Sequence, residues 1–214
     1  LADGTRVWLY DFGLFHRGVA TGQVTTDTEQ LKVLFQDAFG AVWSGRAESD
    51  GFNALIVSAG LEWRQAMVLR AYVKFLRQAS STFSQEYIEA SLGAHVGLVR
   101  LLVQLFETRF DPTFAGDRDV SAEQLTADVL EGLDAVTSLD QDRIIRSLLS
   151  LVSATLRTNY YQPGEDGAPK PYVSFKLDPS AVPDLPLPRP KFEIWVYSPR
   201  VEGVHLRFGA VARG

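Results

Sequence analysis

Residues 139–159 read LDQDRIIRSLLSLVSATLRTN, and residues 172–177, only a short distance further on, read YVSFKL. In the first stretch the apolar residues return every three or four positions, as they do on one face of an amphipathic helix. In the second stretch they alternate with polar residues, which is typical of a strand with one buried face. The segment between them, residues 162–170, contains two glycines and two prolines and is predicted to be a loop. The chain therefore changes from helix to strand at this point.

Helical spacing of apolar residues also dominates the chain before this point. Three capping-box patterns, at residues 26–29, 121–124 and 138–141, predict where three of the helices begin, with Thr26 as one of the capping residues. A strand over residues 6–10, which are rich in aromatic and β-branched side chains, is predicted to precede the helices. The predicted helices cover approximately residues 26–44, 51–58, 61–78, 84–92, 95–110, 125–136 and 139–159.

Beyond residue 170 the pattern is that of a sheet. Strands are predicted over residues 172–177, 192–197 and 204–208, and the four prolines within residues 183–190 predict an extended connection between the first two. The fold class predicted from these patterns is α+β and mainly α, with a helical region of about six helices followed by the first strands of a sheet.

The composition is that of an ordinary globular protein. Of 214 residues, 46% are apolar and 22% are charged, which excludes a disordered chain, and the net charge of −5 gives no indication of nucleic-acid or anionic-membrane binding. The absence of cysteine excludes disulfides, thiolate metal sites and a cysteine nucleophile. No apolar run reaches the roughly 18 residues of a membrane span. We therefore expect a soluble, globular, intracellular protein. The chain begins at Leu1 and its single methionine is Met67, so we also expect a fragment of a longer protein.

The charge distribution indicates a boundary near residue 160. Residues 111–168 hold 4 basic and 11 acidic side chains, whereas residues 169–214 hold 7 basic and 4 acidic ones. Because this change coincides with the change from helix to strand, we expect the two segments to belong to different domains of a larger molecule.

Few patterns in the chain point to chemistry. Neither a Gly-x-Gly-x-x-Gly turn nor a phosphate-binding loop is present, so no cofactor-binding residue is predicted. The histidines, His16, His95 and His205, lie far apart, and a metal site built from them is not predicted. Ser198 and His205 could form a nucleophile pair, but no nucleophile-elbow motif surrounds the serine, and a turn role beside Pro199 is favoured. No catalytic residue is predicted within the chain.

Two polar groups leave alternatives open. Arg70, Lys74 and Arg77 share one helical face, which either binds an anionic effector or an acidic neighbouring domain, or is an ordinary solvated face. Asn53 either contacts a ligand or makes a local turn bond, and the turn bond is favoured. In the turn over residues 198–203, a structural role for Arg200 and Glu202 is favoured over a catalytic one.

Two stretches go beyond these general patterns. The first comprises AESDGFNAL at 47–55, AGLEWR at 59–64 and VLRAY at 68–72; the second comprises FEIWVYSPRVEGVHLR at 192–207 and VARG at 211–214. Together they resemble the large bacterial NAD-specific glutamate dehydrogenases. Residues 83–85 and the connection over 172–188 also fit that family, so the resemblance covers nearly the whole chain.

The resemblance implies a place for the chain within a longer enzyme. Residues 1–24 would end a preceding ACT-like regulatory domain, residues 25–162 would form the helical region, and residues 163–214 would be a proline-rich connection and the start of the catalytic domain. The enzyme would convert L-glutamate to 2-oxoglutarate and ammonia while reducing NAD. It would be a cytoplasmic homo-oligomer in which this segment contacts adjacent domains of the same chain.

The resemblance also implies a substrate contact at the end of the chain. Arg213 and Gly214 resemble the beginning of the glycine-rich substrate loop of smaller glutamate dehydrogenases, in which Lys stands where this chain has Arg213. A guanidinium suits that position because it can bind both oxygens of a carboxylate. The catalytic residues and the NAD-binding fold of the family would lie beyond Gly214, so the isolated segment is predicted to be inactive. The alternative is a stand-alone helical scaffold without catalysis, which explains neither the motif at 192–207 nor the ends of the chain.

Overall fold

The computed structural model describes residues 6–8, 13, 27–79, 81–183 and 185–209. These residues form seven α-helices, two short 3-10 helices and four strands. The helices are α1 Thr28–Trp43, α2 Ala54–Ser58, α3 Trp63–Gln78, α4 Gln85–Ala94, α5 Val96–Phe110, α6 Arg118–Leu133 and α7 Leu139–Ala154. The strands are β1 Thr155–Thr158, β2 Val173–Leu177, β3 Phe192–Tyr197 and β4 Glu202–Arg207. The predicted α+β, mainly α class is therefore confirmed.

Several helix ends lie where local chemistry places them. Gly45 and Gly60 follow α1 and α2 with φ angles of 70° and 67°, a left-handed conformation that glycine adopts without a Cβ clash. The Ser84 hydroxyl accepts a hydrogen bond from the backbone N–H of Tyr87 at 3.2 Å and so caps α4. Ser138 caps α7 in the same way, through the N–H of Gln141.

Of two further predicted helix starts, one is wrong and the other lies outside the described residues. The α6 helix begins at Arg118, capped by Asp117, whose carboxylate accepts from the N–H groups of Asp119 and Val120 at 3.1 Å each. The prediction that Ser121 caps this helix and that it runs over 125–136 was therefore wrong. A carboxylate at the positive end of a helix competes well with a serine four residues later. Thr26 lies outside the described residues, and the residue next to α1 is Asp27.

The last predicted helix is too long. It ends at Ala154, and the next four residues form β1, which pairs antiparallel with β2. In the sequence, the helical spacing of apolar residues continues as far as Leu156, but in the structure that side chain is 45% exposed. Pairing with β2 supplies the backbone partners that a further helical turn would have supplied, so the tertiary context overrides the local periodicity. At the other end of the chain, residues 6–8 are outside any strand, and residues 9–10 lie outside the described residues.

The four strands form one antiparallel sheet in the order β1-β2-β3-β4. Register pairs Phe175 with Trp195 and Val173 with Tyr197, and these four side chains point to the same face and are buried. That face packs on the helices: Tyr72 of α3 stacks on Phe175 with ring centroids 4.2 Å apart. One continuous cluster of buried apolar residues therefore includes both helices and strands.

Within the described ranges, no single helix is long and apolar enough to cross a membrane. The α4 and α5 helices reach that length and composition only as a pair, and the pair is bent by 98°.

Candidate functional site

The predicted substrate residues, Arg213 and Gly214, lie outside the described residues. The described chain reaches Gly209, shortly after β4 ends at Arg207. What the structure does describe is the β3–β4 hairpin, which precedes these two residues in the chain, and its support on the helices. This support consists of a group of charged and polar side chains between the hairpin and the helices, and we call it the polar cluster. Its members are Glu48, Asp50, Asn53, Arg70, Lys74, Tyr197 and Glu202.

Arg70 is the centre of the polar cluster and is completely buried. Its Nε and Nη2 donate to the two carboxylate oxygens of Asp50 at 2.6 Å each, and Nη2 also donates to the side-chain oxygen of Asn53 at 2.9 Å. Such a two-point contact fixes the orientation of both groups. Burial by itself would lower the pKa of the Arg70 guanidinium, but the bonds to Asp50 outweigh it and hold that pKa above its usual value.

The turn before α2 supplies these partners because of its local geometry. Asp50 also accepts from the backbone N–H of Phe52 and so caps the 3-10 helix Gly51–Asn53. The Asn53 amide donates to the backbone carbonyl of Glu48 at 2.8 Å, which closes the turn. The predicted turn role of Asn53 is confirmed, and the same side chain additionally orients Arg70.

A second set of contacts joins the helices directly to the β3–β4 hairpin. The Tyr197 hydroxyl donates to a Glu48 carboxylate oxygen at 2.8 Å, and Lys74 Nζ lies 3.0 Å from the same oxygen. Lys74 Nζ also lies 3.6 Å from a Glu202 oxygen at the start of β4. Burial, together with the bond to Glu48, raises the pKa of the Tyr197 phenol although Arg70 lies close by, so the phenol stays protonated and remains a donor. The hairpin is thus tied to α3 and to the turn before α2.

The solvated-face interpretation of Arg70, Lys74 and Arg77 was wrong for the first two. Arg70 has no exposed surface and the Lys74 side chain is 19% exposed, and carboxylates of this chain engage both. Arg77 donates to the side-chain oxygen of Gln85 at 3.2 Å. The spacing of the three basic residues was visible in the sequence. The acidic partners were not, because Asp50 lies 20 positions from Arg70 and no local pattern links them.

Ser198 has the turn role that the sequence favoured. Its hydroxyl donates to the carbonyl of Val201 at 3.1 Å and accepts from the N–H groups of Arg200 and Val201. His205 lies opposite Ile194 in the β3–β4 ladder, and His95 is hydrogen-bonded to Gln141 at 2.8 Å. His16 lies outside the described residues. Among the residues that are described, no three potential ligands are close enough together to hold a metal ion.

The described residues do not fit a dinucleotide. A Rossmann-type site needs parallel strands and a glycine-rich turn that leads into a helix. The sheet here is antiparallel throughout, and the chain passes from helix α7 directly into β1.

Comparison with known proteins gives two family matches. Residues 128–214 match the model for the catalytic domain of bacterial NAD-glutamate dehydrogenase, and residues 47–112 match helical motif 3 of glutamate dehydrogenase. The chain belongs to the bacterial NAD-glutamate dehydrogenase family. The polar cluster lies across both matched regions, since Asp50 and Arg70 fall within the helical motif and Tyr197 falls within the catalytic-domain match.

Individual members of this family are similar over the whole chain. The chain is 46% identical to the NAD-specific glutamate dehydrogenase of Halomonas elongata over 214 residues, all of this chain. It is 47% identical to the proteins of the same name from Pseudomonas aeruginosa and Mycobacterium tuberculosis, over 99% of this chain in each case. The chain spans about 13% of the length of these relatives.

Proposed function

We propose that this chain is part of an NAD-specific glutamate dehydrogenase, which converts L-glutamate to 2-oxoglutarate and ammonia while reducing NAD. The observation that carries the proposal is the match of residues 128–214 to the catalytic domain of that family, together with 46–47% identity to three relatives along essentially the whole chain. These similarities favour the enzyme over the alternative of a helical scaffold without catalysis.

In this proposal the segment has two parts. Residues 25–162 are the helical region that follows an ACT-like regulatory domain ending at about residue 24, and residues 163–214 begin the catalytic domain. Arg213 binds a carboxylate of the substrate, and the Gly214 backbone allows the substrate to approach closely. The polar cluster supports this role because it anchors the hairpin that leads to Arg213 through Tyr197 and Glu202. A displaced hairpin would displace Arg213, and catalysis is sensitive to small errors in position.

The remaining features of the enzyme are placed outside this segment. NAD binds to a part of the full-length protein beyond Gly214, which agrees with the antiparallel sheet of the described residues. The full-length protein works as a homo-oligomer in the cytoplasm, and this segment contacts adjacent domains of its own chain.

The test uses the full-length protein that contains this segment. Replacing Arg213→Met removes the charged partner of a substrate carboxylate, and we expect the KM for glutamate to rise about tenfold or more. The KM for NAD should stay near its original value. Arg200→Met, in the exposed turn between β3 and β4, is the matched control and should leave both constants unchanged.

Two results would contradict parts of the proposal. An unchanged KM for glutamate in the Arg213→Met enzyme would contradict the proposal that Arg213 binds the substrate. Formation of NADH from glutamate by the 214-residue chain alone would contradict the placement of the NAD site outside it.

A further inference from the structure

A groove lies between the adjoining ends of α3 and α4, α7 and the segment that follows β2. Its volume is about 510 Å³. This volume falls within the range of about 300–1,000 Å³ that is typical of small-molecule sites. The groove shares no lining residue with the polar cluster, so it is a separate feature of the molecule.

One side of the groove is apolar. Ile88 of α4 and Ile144 of α7 contribute side chains that belong to the main core, and Val182 and Leu185 close the groove from the segment after β2. These four residues are between 0% and 7% exposed. The chain itself covers them, so the apolar surface that is open to a ligand comes from the half-buried Leu76 and Phe83, which also line the groove.

The other side of the groove is cationic and carries hydroxyl groups. Arg143, Arg146, Ser147 and Ser150 line it from successive turns of α7, at spacings that place them on one helical face. Arg146 uses its Nε on Asp142, at 2.9 and 3.0 Å, so that both terminal nitrogens of its guanidinium remain available. The Arg143 side chain is exposed and makes neither a hydrogen bond nor an ion pair within the described part of the chain.

We propose that this groove binds a small organic oxyanion, a carboxylate or a phosphate, that carries an apolar body. Arg143 and the terminal nitrogens of Arg146 bind the oxyanion, because a guanidinium matches the two-oxygen geometry of either group. Ser147 and Ser150 add hydroxyl donors. The apolar body lies against the half-buried Leu76 and Phe83. The proposal is independent of the proposed function, since it concerns binding by this chain and no catalytic step.

A ligand in the groove would hold together parts of the chain that are far apart in sequence. It would contact α4, α7 and the residues Val182, Pro183 and Leu185, which lie between β2 and β3 in the chain. A ligand that binds the folded chain but not the unfolded chain stabilises the folded state. Binding can therefore be measured as a rise in the unfolding temperature as well as by titration.

The experiment is a calorimetric titration of the purified 214-residue chain with three probes: phenyl phosphate, benzoate and inorganic phosphate. We expect saturable binding of one phenyl phosphate or benzoate per chain, and weaker binding of inorganic phosphate because it lacks the apolar body. The stronger of the two organic probes identifies the head group. The variant Arg143→Gln/Arg146→Gln should bind that probe about tenfold more weakly or worse.

Two further variants distinguish binding in the groove from non-specific attraction of anions to the positive charges of the chain. Arg157→Gln removes an exposed charge on β1, outside the groove, and should leave the affinity unchanged. Ser150→Leu keeps both arginines but fills the groove, and should weaken the organic probe more than inorganic phosphate. Thermal unfolding of each variant shows that it is folded.

Several outcomes would overturn the proposal. These are the absence of saturable binding by every probe, equal binding of all three probes, and an equal loss of affinity in Arg157→Gln. Self-association of the chain that Arg143→Gln/Arg146→Gln abolishes would assign the groove to a second copy instead of a small ligand.

Discussion

At the scale of single residues, Arg70 is the clearest case in which the folded structure gives a side chain a role that its sequence neighbours do not indicate. An arginine on a helix is normally exposed, and the spacing with Lys74 and Arg77 suggested a surface face. In the structure it is buried and holds Asp50 by two bonds of 2.6 Å. A buried ion pair adds modestly to stability when intact, but removing one partner leaves a charge that has lost its hydration.

The first prediction concerns this pair. Replacing Arg70→Leu should lower the free energy of unfolding by about 3 kcal/mol or more, because the Asp50 carboxylate, which is 12% exposed, loses its partner. Denaturant unfolding measures the change. The exposed pair of Arg146 and Asp142 provides the control, and Arg146→Leu should cost less than about 1 kcal/mol. Equal losses in the two variants would mean that the Arg70 pair is energetically an ordinary surface pair.

Glu193 gives a second prediction at this scale. It is 8% exposed and faces the helices from β3, and its carboxyl group has neither a hydrogen bond nor an ion pair among the described residues. Burial raises the pKa of the Glu193 carboxyl. The folded state therefore holds this proton more tightly than the unfolded state, so the charged carboxylate costs stability as the pH rises through and above the unfolded pKa of about 4.3.

Replacing Glu193→Gln should consequently raise stability at pH 7, and the gain should disappear below about pH 4, where the carboxyl is protonated in both states. Denaturant unfolding across this pH range measures the difference. Glu165→Gln, at an exposed loop position, should change stability little at any pH. A gain that persists unchanged at low pH would show that charge is not its cause.

At the scale of elements, helix boundaries depended on small differences in local chemistry. A capping-box pattern at residues 121–124 was plausible, but Asp117 makes two cap bonds one turn earlier. The carboxylate also lies favourably at the positive end of the helix. Both signals were present in the sequence, and only the folded helix shows which one is used.

The third prediction follows directly. Asp117→Ala should lower stability by about 1 kcal/mol, because two N–H groups of α6 lose their acceptor. Ser121→Ala should be neutral or slightly stabilising, because alanine has the highest helix propensity and Ser121 lies inside α6. Thermal unfolding of the two variants compares them. A larger loss of stability from Ser121→Ala than from Asp117→Ala would support the initial prediction that Ser121 caps this helix.

At the scale of the whole molecule, the helices and the sheet share one core. Phe75 of α3 meets Trp195 of β3 edge to face, with ring centroids 5.8 Å apart, and both are completely buried or nearly so. The family match for the catalytic domain also begins at residue 128, within α6. The division of the chain at residue 162 remains a prediction.

The fourth prediction tests how strongly the two parts depend on each other. Trp195→Ala removes a large buried side chain and should lower stability by about 3–5 kcal/mol. Because the core is shared, hydrogen exchange should show the same loss of protection in α3 as in β3. Leu156→Ala, at a half-exposed position of β1, should have a much smaller effect. A loss confined to the strands would indicate that the sheet unfolds independently of the helices.

The sequence by itself determined the class of the fold, most of the helices and three of the four strands. These features depend on the spacing of apolar residues and on caps that act within a few positions, such as Ser84 and Gly60. It also determined the family, because the motif over 192–207 does not depend on knowing the fold.

Only the tertiary structure decided which polar side chains are buried and where α7 gives way to β1. The reason is distance along the chain: Tyr197 and Glu48 are 149 positions apart, and Arg70 and Asp50 are 20 apart. No local pattern records such partners. At residues 155–158 the local preference was helical, and pairing with β2 outweighed it. The polar cluster and the groove along α7 likewise exist only after distant segments pack together.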